Sequence, residues 1–114
     1  MRFTESLTEN RDFTRLYRSG KCAAGPYVAV YCRKNRLKIN RLGITASVKL
    51  GGAVVRNRIR RRIREAYRTH EHEFRSGFDL VIVARSRAAN APYRAIEQAI
   101  RKALYSLNVM KDET

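Results

Sequence analysis

Acidic residues are scarce in this sequence. Only 10 Asp and Glu stand against 25 Lys and Arg, which gives a formal net charge of +15 over 114 residues. Such an excess of positive charge repels itself in a compact chain and attracts polyanions at long range. We therefore expect a nucleic-acid partner. An acidic membrane surface is the weaker alternative, because the apolar stripes of the predicted helices are needed for a core.

Cysteine and histidine are also few. Cys22 and Cys32 are the only cysteines, with neither a CxxC spacing nor an adjacent His. This pattern predicts two reduced, structural thiols and no metal. His70 and His72 are the only side chains with an ordinary pKa near neutrality, and we expect both on the surface.

No set of side chains suited to catalysis by the protein stands out. Asp12, Asp79 and Glu97 fall on different predicted elements, without the clustering that a metal site requires. The sequence therefore predicts no catalytic residue and no metal held by the protein itself.

Long apolar runs are missing too. No stretch approaches the roughly 18 apolar residues of a membrane-spanning helix, and the first residues lack the apolar core of a signal peptide. The chain also contains no internal repeat or low-complexity linker. With 44% hydrophobic residues, residues 1–114 suit a single domain, which we expect in the cytoplasm and away from membranes.

Hydrophobic periodicity predicts three helices and four strands in the order αβββαβα. The first helix covers about 9–19, with Thr8 as its cap and Gly20 as a left-handed stop. Pro92 suits the start of the last helix. Strands are predicted over 21–24, 27–33, 42–48 and 78–84, and the helix between the last two makes them parallel. The predicted fold class is α+β, a sandwich of one mixed four-stranded sheet and three helices.

The helix that follows Gly51-Gly52 contains seven arginines and a single acid, Glu65, within GGAVVRNRIRRRIREAYR. At about 100° per residue, an apolar stripe faces the core, and Arg58 and Arg62 lie on the flank opposite the remaining arginines. The predicted stripe is Val55, Ile59, Ile63, Ala66 and Tyr67.

Stacked arginines destabilise an isolated helix. Each i,i+4 pair of like charges costs about 0.2–0.5 kcal/mol, and arginines near the N-terminus also oppose the helix dipole. A polyphosphate offsets both effects, because free N–H groups after Gly51-Gly52 and a guanidinium row favour the same anion. This helix is therefore predicted to bind nucleic acid rather than to form an ordinary solvated face.

Aromatic residues favour RNA over duplex DNA. Phe13 and Tyr17 lie on the first helix, and Tyr27 and Tyr31 are spaced to share one face of the following strand. If that helix packs at the edge of the sheet, the four rings could line a groove that stacks on unpaired bases. The alternative, that some of these rings are simply core, stays open for each of them.

The stretch RLGITASVKLGGAVVRNRIRRRIREAYR, with RNR at Arg56, Asn57 and Arg58, resembles the signature of the bacterial ribonuclease P protein component. RDFTRLYRSGK and DLVIVAR match that family in order and spacing. The resemblance therefore covers nearly the whole chain.

Membership would imply a subunit of an RNA-based endoribonuclease that removes the 5′ leader from precursor tRNA. The catalytic centre and the Mg²⁺ would belong mainly to the RNA partner, with one protein monomer for each RNA. The fold would include an unusual left-handed βαβ crossover, where physical expectation favours a right-handed one. Leader-groove residues would be the four aromatics, and RNA-binding residues would be Lys49, Arg56, Asn57, Arg58, Arg60, Arg61, Arg64 and Arg68.

Two positions depart from the family pattern. Val48 stands where the family commonly has the first of two lysines, and Gly52 stands where a polar side chain is frequent. Charge and size alone would also permit a ribosomal RNA-binding protein or a DNA-binding regulator, which predict ribosome association and duplex-specific binding respectively.

Overall fold

The computed structural model describes residues 1–111 as one five-stranded sheet with helices on both faces. Among these residues, no helix combines the length and apolarity needed to cross a membrane. The α+β class is confirmed. The polar sequence KDET at the end of the chain predicts fraying, but residues 112–114 lie outside the described range. The elements are β1 Thr4–Ser6, α1 Asn10–Ser19, β2 Lys21–Ala24, β3 Val28–Lys34, β4 Asn40–Thr45, α2 Ala53–His70, β5 Phe78–Ala84 and α3 Tyr93–Ser106.

The strands lie in the order β1-β4-β5-β3-β2. β4 and β5 are parallel neighbours, as the helix between them predicts, and Gly43 lies opposite Val81. β3 runs antiparallel to β5 and places Tyr31 on the other side of Val81. The left-handed crossover stays an implication of the family resemblance.

β1 is a fifth strand that the sequence patterns did not indicate. It pairs in parallel with β4 and places Ser6 opposite Leu42. The buried carboxylate of Glu71 accepts hydrogen bonds from the backbone N–H groups of Arg2 and Phe3. Three residues without apolar alternation carry no strand signal, so backbone pairing and Glu71 hold this segment in place.

The sheet separates two hydrophobic clusters. The larger lies between the sheet, α2 and α3, where Ile59, Leu80, Ile82 and Ile100 are almost fully buried. The smaller forms around Leu16 of α1 on the opposite face. Each fully buried aliphatic side chain of this kind stabilises the fold by about 1.5–3 kcal/mol relative to exposure. Both faces of β5 are therefore covered over most of its length, as its unbroken apolar run predicts, and only Val83 is partly exposed among its residues.

The ends of two predicted elements differ from expectation. Glu9, not Thr8, occupies the cap position of α1, and it makes no side-chain capping bond. Gly20 is extended rather than left-handed; it is needed because a Cβ would lie 2.6 Å from the Leu16 carbonyl oxygen. β4 ends at Thr45 rather than at the predicted position 48, and Val48 is 74% exposed in a short 3₁₀ turn.

Candidate nucleic-acid interface

The predicted apolar stripe secures α2 to the sheet. Ile59, Ile63, Ala66 and Tyr67 are buried, and Val55 packs partly buried against the same cluster. This fixes the rotation of the helix. The remaining side chains must therefore point to solvent or lie along the margins of the contact.

The arginine row, which we define as Arg56, Arg60, Arg61, Arg64 and Arg68, lies on the outward arc together with Asn57. Arg60 donates to the Asn57 side-chain oxygen at 3.1 Å and to the Ala46 carbonyl at 3.3 Å. Arg61 and Arg64 are exposed and have no bonded partner among residues 1–111. The central part of the row is free to meet an external anion.

Arg58 and Arg62 point the other way, as the helical wheel predicts. Arg58 donates to the Ala89 carbonyl at 3.2 Å, and Arg62 donates to the Ala91 carbonyl at 2.9 Å. These bonds hold the segment before α3 against α2. Arg58 is one of the residues that the family resemblance assigns to RNA binding, yet one of its guanidinium nitrogens is already bonded within the fold. Its buried Nε has no partner among the described residues.

The N-terminus of α2 lies open beside the row. Gly52 caps it without a side-chain bond, so the first helical N–H groups are unsatisfied and the positive end of the dipole is exposed. Gly51 has φ 138°, a conformation that favours glycine. Lys49 is exposed on the preceding turn. The free N–H groups of α2, the arginine row and the Lys49 ammonium group thus lie in one region of the surface.

α1 crosses the second face of the sheet with its aromatic side chains on one flank. Phe13 is half-buried over Gly43, where a Cβ would lie 2.5 Å from the ring. Tyr17 is 45% exposed and meets Tyr31 edge to face at 5.0 Å between ring centroids. The charge of the neighbouring Cys22 and partial burial raise the pKa of Tyr31.

The aromatic groove is completed by a floor that sequence reasoning missed. Ala29, Val83 and Thr45 form the next row across β3, β5 and β4, and all three are partly exposed. Asp12, on the other flank of α1, contacts Arg41 in the opposite row, so the Phe13 and Tyr17 flank faces this floor. The sequence carried a signal for this floor, because Ala29 and Val83 each stand between two residues that are buried on the other face of the sheet.

Tyr27 does not belong to this groove. It packs against the larger cluster, whereas Tyr31 packs with the smaller one on the other face of the sheet. The prediction that Tyr27 and Tyr31 share a face is wrong, because β3 begins at Val28 and strict alternation does not extend to Tyr27.

A cleft joins the aromatic groove to the arginine row. Phe13, Gly43 and Ile44 line it from the sheet side, and Arg64 and Arg68 line it from α2. β1 ends opposite Leu42, so by the alternation of the ladder the N–H and C=O of Ile44 point into this cleft beyond β1. The two predicted surfaces are therefore continuous.

Asp12 and Asp79, expected to lie apart, meet around Arg41. The Arg41 guanidinium donates to both Asp79 oxygens at 2.7 and 2.6 Å, and it lies 3.7 Å from Asp12. The bonds to Asp79 raise the pKa of Arg41 above its ordinary value. Because Asp12 lies on α1, these contacts help to seat that helix on the sheet.

His70 is not the surface residue that was expected. Its side chain is largely buried and hydrogen-bonds Glu73 and, at 3.0 Å, Glu97 of α3. Burial opposes ionisation of Glu73, but the bonds with His70 and Arg101 outweigh it and lower the pKa of Glu73. These contacts tie the end of α2 to α3. His72 is exposed, as predicted.

A family model described as ribonuclease P matches residues 1–108. The chain is 45% identical over 97 residues to the ribonuclease P protein component of Lachnoclostridium phytofermentans, covering 85% of this chain and 84% of that one. It is 34% identical over 110 residues to that of Alkaliphilus oremlandii, covering 96% of each. The solved RNase P protein of Staphylococcus aureus superposes with a TM-score of 0.85, 33% identity and coverage of 93% and 97%.

Proposed function

The chain belongs to the family of the bacterial ribonuclease P protein component, and we propose from this premise that its two joined surfaces bind different RNAs. The protein is a subunit of the RNA-based endoribonuclease that removes the 5′ leader from precursor tRNA, and its partner is the ribonuclease P RNA. The alternatives of a ribosomal protein and a DNA-binding regulator are set aside by this membership.

We assign the arginine row, with Lys49, Asn57 and Arg58, to the catalytic RNA. The support is electrostatic. Arg61, Arg64 and Arg68 are exposed, Arg61 and Arg64 are unpaired among the described residues, and the open N-terminus of α2 adds N–H donors. Planar guanidinium groups suit bidentate contact with phosphates. Val48 and Gly52 offer no polar side chain, so contacts at those positions come from the backbone.

We assign the aromatic groove to the single-stranded leader. The exposed Tyr17 ring beside Tyr31, over an apolar floor, is the observation that carries this assignment. A ring pair of this kind stacks on bases of any sequence, and stacking contributes about 1–3 kcal/mol for each base. Tyr27 is excluded from the proposed groove, since it packs against the larger cluster.

The cleft between the two surfaces would bring the two RNAs together. A leader strand that leaves Phe13 would pass the free backbone of Ile44 and meet the catalytic RNA at Arg64 and Arg68 without crossing a covered surface. This arrangement would hold leader and catalytic RNA side by side. The protein would then act by positioning the substrate and by reducing repulsion between two polyanions.

Cleavage by this class of enzyme uses Mg²⁺, which we propose is held mainly by the RNA. Within residues 1–111, no group of three or more His, Cys, Asp or Glu side chains is arranged so that it could hold a metal ion. The protein's cations would instead lower the Mg²⁺ concentration needed to bring the RNAs together. We further propose one protein monomer for each RNA and a cytoplasmic location.

Reconstitution with the cognate RNA at low Mg²⁺ tests the assignment of surfaces. Wild-type protein should stimulate cleavage of precursor tRNA. Arg64→Ala should weaken binding to the catalytic RNA without destabilising the free protein, because Arg64 makes no internal bond among residues 1–111. Tyr17→Ala should weaken binding only of substrates that carry a leader.

Leaderless RNA and an Arg94→Ala variant are the controls. Arg94 is an exposed arginine at the start of α3 that belongs to neither surface and does not line the cleft between them, and its loss removes the same charge. Equal losses for Arg64→Ala and Arg94→Ala would contradict the arginine-row assignment. Equal losses of leadered and leaderless RNA with Tyr17→Ala would place that ring in the core rather than at a leader.

A further inference from the structure

A second group of cations lies on the outer side of α1, remote from the arginine row. Arg11, Arg15 and Arg18 are all exposed and line a shallow depression together with Thr14 and Ser19. Arg33 extends this positive surface onto the same face of the sheet, because it lies opposite Asp79 in the row that faces the Asp12 flank of α1. We call this surface the α1 basic band and define it as Arg11, Arg15, Arg18 and Arg33.

The band has a positive charge that the protein leaves uncompensated. Arg11 and Arg15 are four residues apart and Arg18 follows three later, so the side chains repel one another on adjacent turns. No carboxylate pairs with these three arginines among the described residues, and Asp12 is committed to Arg41. This repulsion disfavours the helix slightly, and an anion bound from outside would relieve it.

Its position separates the band from the leader groove. The Asp12 flank of α1 faces the row of Arg41, Asp79 and Arg33, while Phe13 and Tyr17 face the opposite row. The band occupies the crest of α1 and the Arg33 side of the sheet. A strand bound in the aromatic groove would therefore leave the band uncovered.

The chemistry of the band fits a phosphate backbone rather than unpaired bases. Its four defining residues are all Arg, and no aromatic ring lines the depression on α1. From Arg11 to Arg18 the helix rises about 10 Å, a length that spans several successive phosphates of a nucleic-acid strand. Arginine forks bind such phosphates without reading sequence.

We propose that the α1 basic band is a second docking surface for the ribonuclease P RNA, which contacts the backbone of one of its helical segments. That RNA is the partner that family membership supplies. α1 would then lie between two RNAs, with its aromatic flank on the leader and its crest on the catalytic RNA. The inference does not depend on the assignment of the arginine row.

The test uses a triple variant, Arg11→Gln, Arg15→Gln and Arg18→Gln, in the full-length protein. Affinity for the ribonuclease P RNA alone should fall about 10-fold or more near 0.1 M salt, and the slope of log K against log salt should flatten by about 2–3. The melting temperature should be unchanged or slightly raised, since like-charge repulsion is removed. Binding of a leader oligonucleotide to the free protein should be unchanged.

The matched control removes three charges elsewhere, with Arg94→Gln, Lys102→Gln and Lys111→Gln. These residues are exposed on α3 and after it, and their side chains make no bond within the described chain. Equal weakening by both triple variants would overturn the proposal, because only net charge would matter. A loss confined to precursor tRNA, with unchanged affinity for the catalytic RNA, would also overturn it and would assign the band to the substrate.

Discussion

Replacing Arg41 with Met tests whether the Asp12–Arg41–Asp79 contacts seat α1. Asp79 is only 8% exposed. After the change its carboxylate keeps the hydrogen bond from the Asn35 side-chain amide at 3.0 Å but loses the guanidinium. Breaking one partner from a buried ion pair costs about 3–5 kcal/mol. The Arg41 side chain is 28% exposed, so solvent screens part of the interaction and we expect about 2–4 kcal/mol.

A loss of this size is measurable without unfolding the protein. A domain of this length is stable by about 5–15 kcal/mol, and 1 kcal/mol shifts the melting temperature by about 3–6 °C. Thermal melts should therefore show a fall of about 10 °C for Arg41→Met. Hydrogen exchange should show the amides of α1 opening faster than those of α3, because Asp12 loses its contact with the sheet.

Two further variants test whether the loss of stability comes from the Arg41–Asp79 ion pair itself or from the removal of any arginine. Arg33→Met removes an exposed arginine directly across from Asp79 on β3 and should cost less than about 0.5 kcal/mol. Arg41→Met combined with Asp79→Leu removes both buried charges and should recover most of the loss. A cost for Arg41→Met equal to that of Arg33→Met, or no recovery in the double variant, would refute the reasoning.

Two other changes follow from buried contacts. Gly43→Ala places a Cβ 2.5 Å from the Phe13 ring, so we expect about 1–3 kcal/mol of destabilisation and weaker leader binding. An unchanged melting temperature together with unchanged leader affinity would contradict the packing of Phe13 on Gly43. Burial raises the pKa of Tyr67, so its contribution to stability is complete below about pH 10, the unfolded value, and is lost as pH rises through the folded value. Melts from pH 8 to 11 should show a fall that Tyr67→Phe flattens, and equal slopes would argue against a role for this phenol.

The fold could be predicted where a hydrophobic period repeats over several turns or pairs. The stripe of α2 from Ile59 to Tyr67 and the apolar run of β5 each leave one arrangement that buries them. β1 lacked such a period. Its three polar residues become a strand because β4 has an open edge and Glu71 accepts the backbone N–H groups before it.

Polar contacts between distant elements were not predictable from the sequence. Asp12 and Asp79 were assigned to separate elements, which was correct, but the fold brings both to Arg41. His70 was predicted on the surface because it ends a helix, but its ring is held by a hydrogen bond with Glu97 of α3. In both cases the partner lies 27 or more residues away, beyond the reach of local spacing rules.

The arginine row and the aromatic pair could each be predicted from the sequence, but the cleft that joins them could not. The arginine row follows from the wheel of α2, and the pairing of Tyr17 with Tyr31 follows from adjacent elements. Their continuity depends on where β1 stops, which leaves the β4 edge open between Phe13 and Arg64. Since β1 had no sequence signal, the cleft had none either.

The acidic residues explain how so basic a chain keeps a stable fold and an active surface. Asp79, Glu71, Glu73 and Glu97 are buried or half-buried, and each bonds a partner on a distant element. Few negative charges are left to neutralise the surface of the described chain. The cations of α1 and α2 therefore repel one another in the free protein, and this repulsion is relieved only when phosphates approach. Self-repulsion and RNA affinity thus have one cause, so a variant that relieves the first by removing surface arginines must weaken the second.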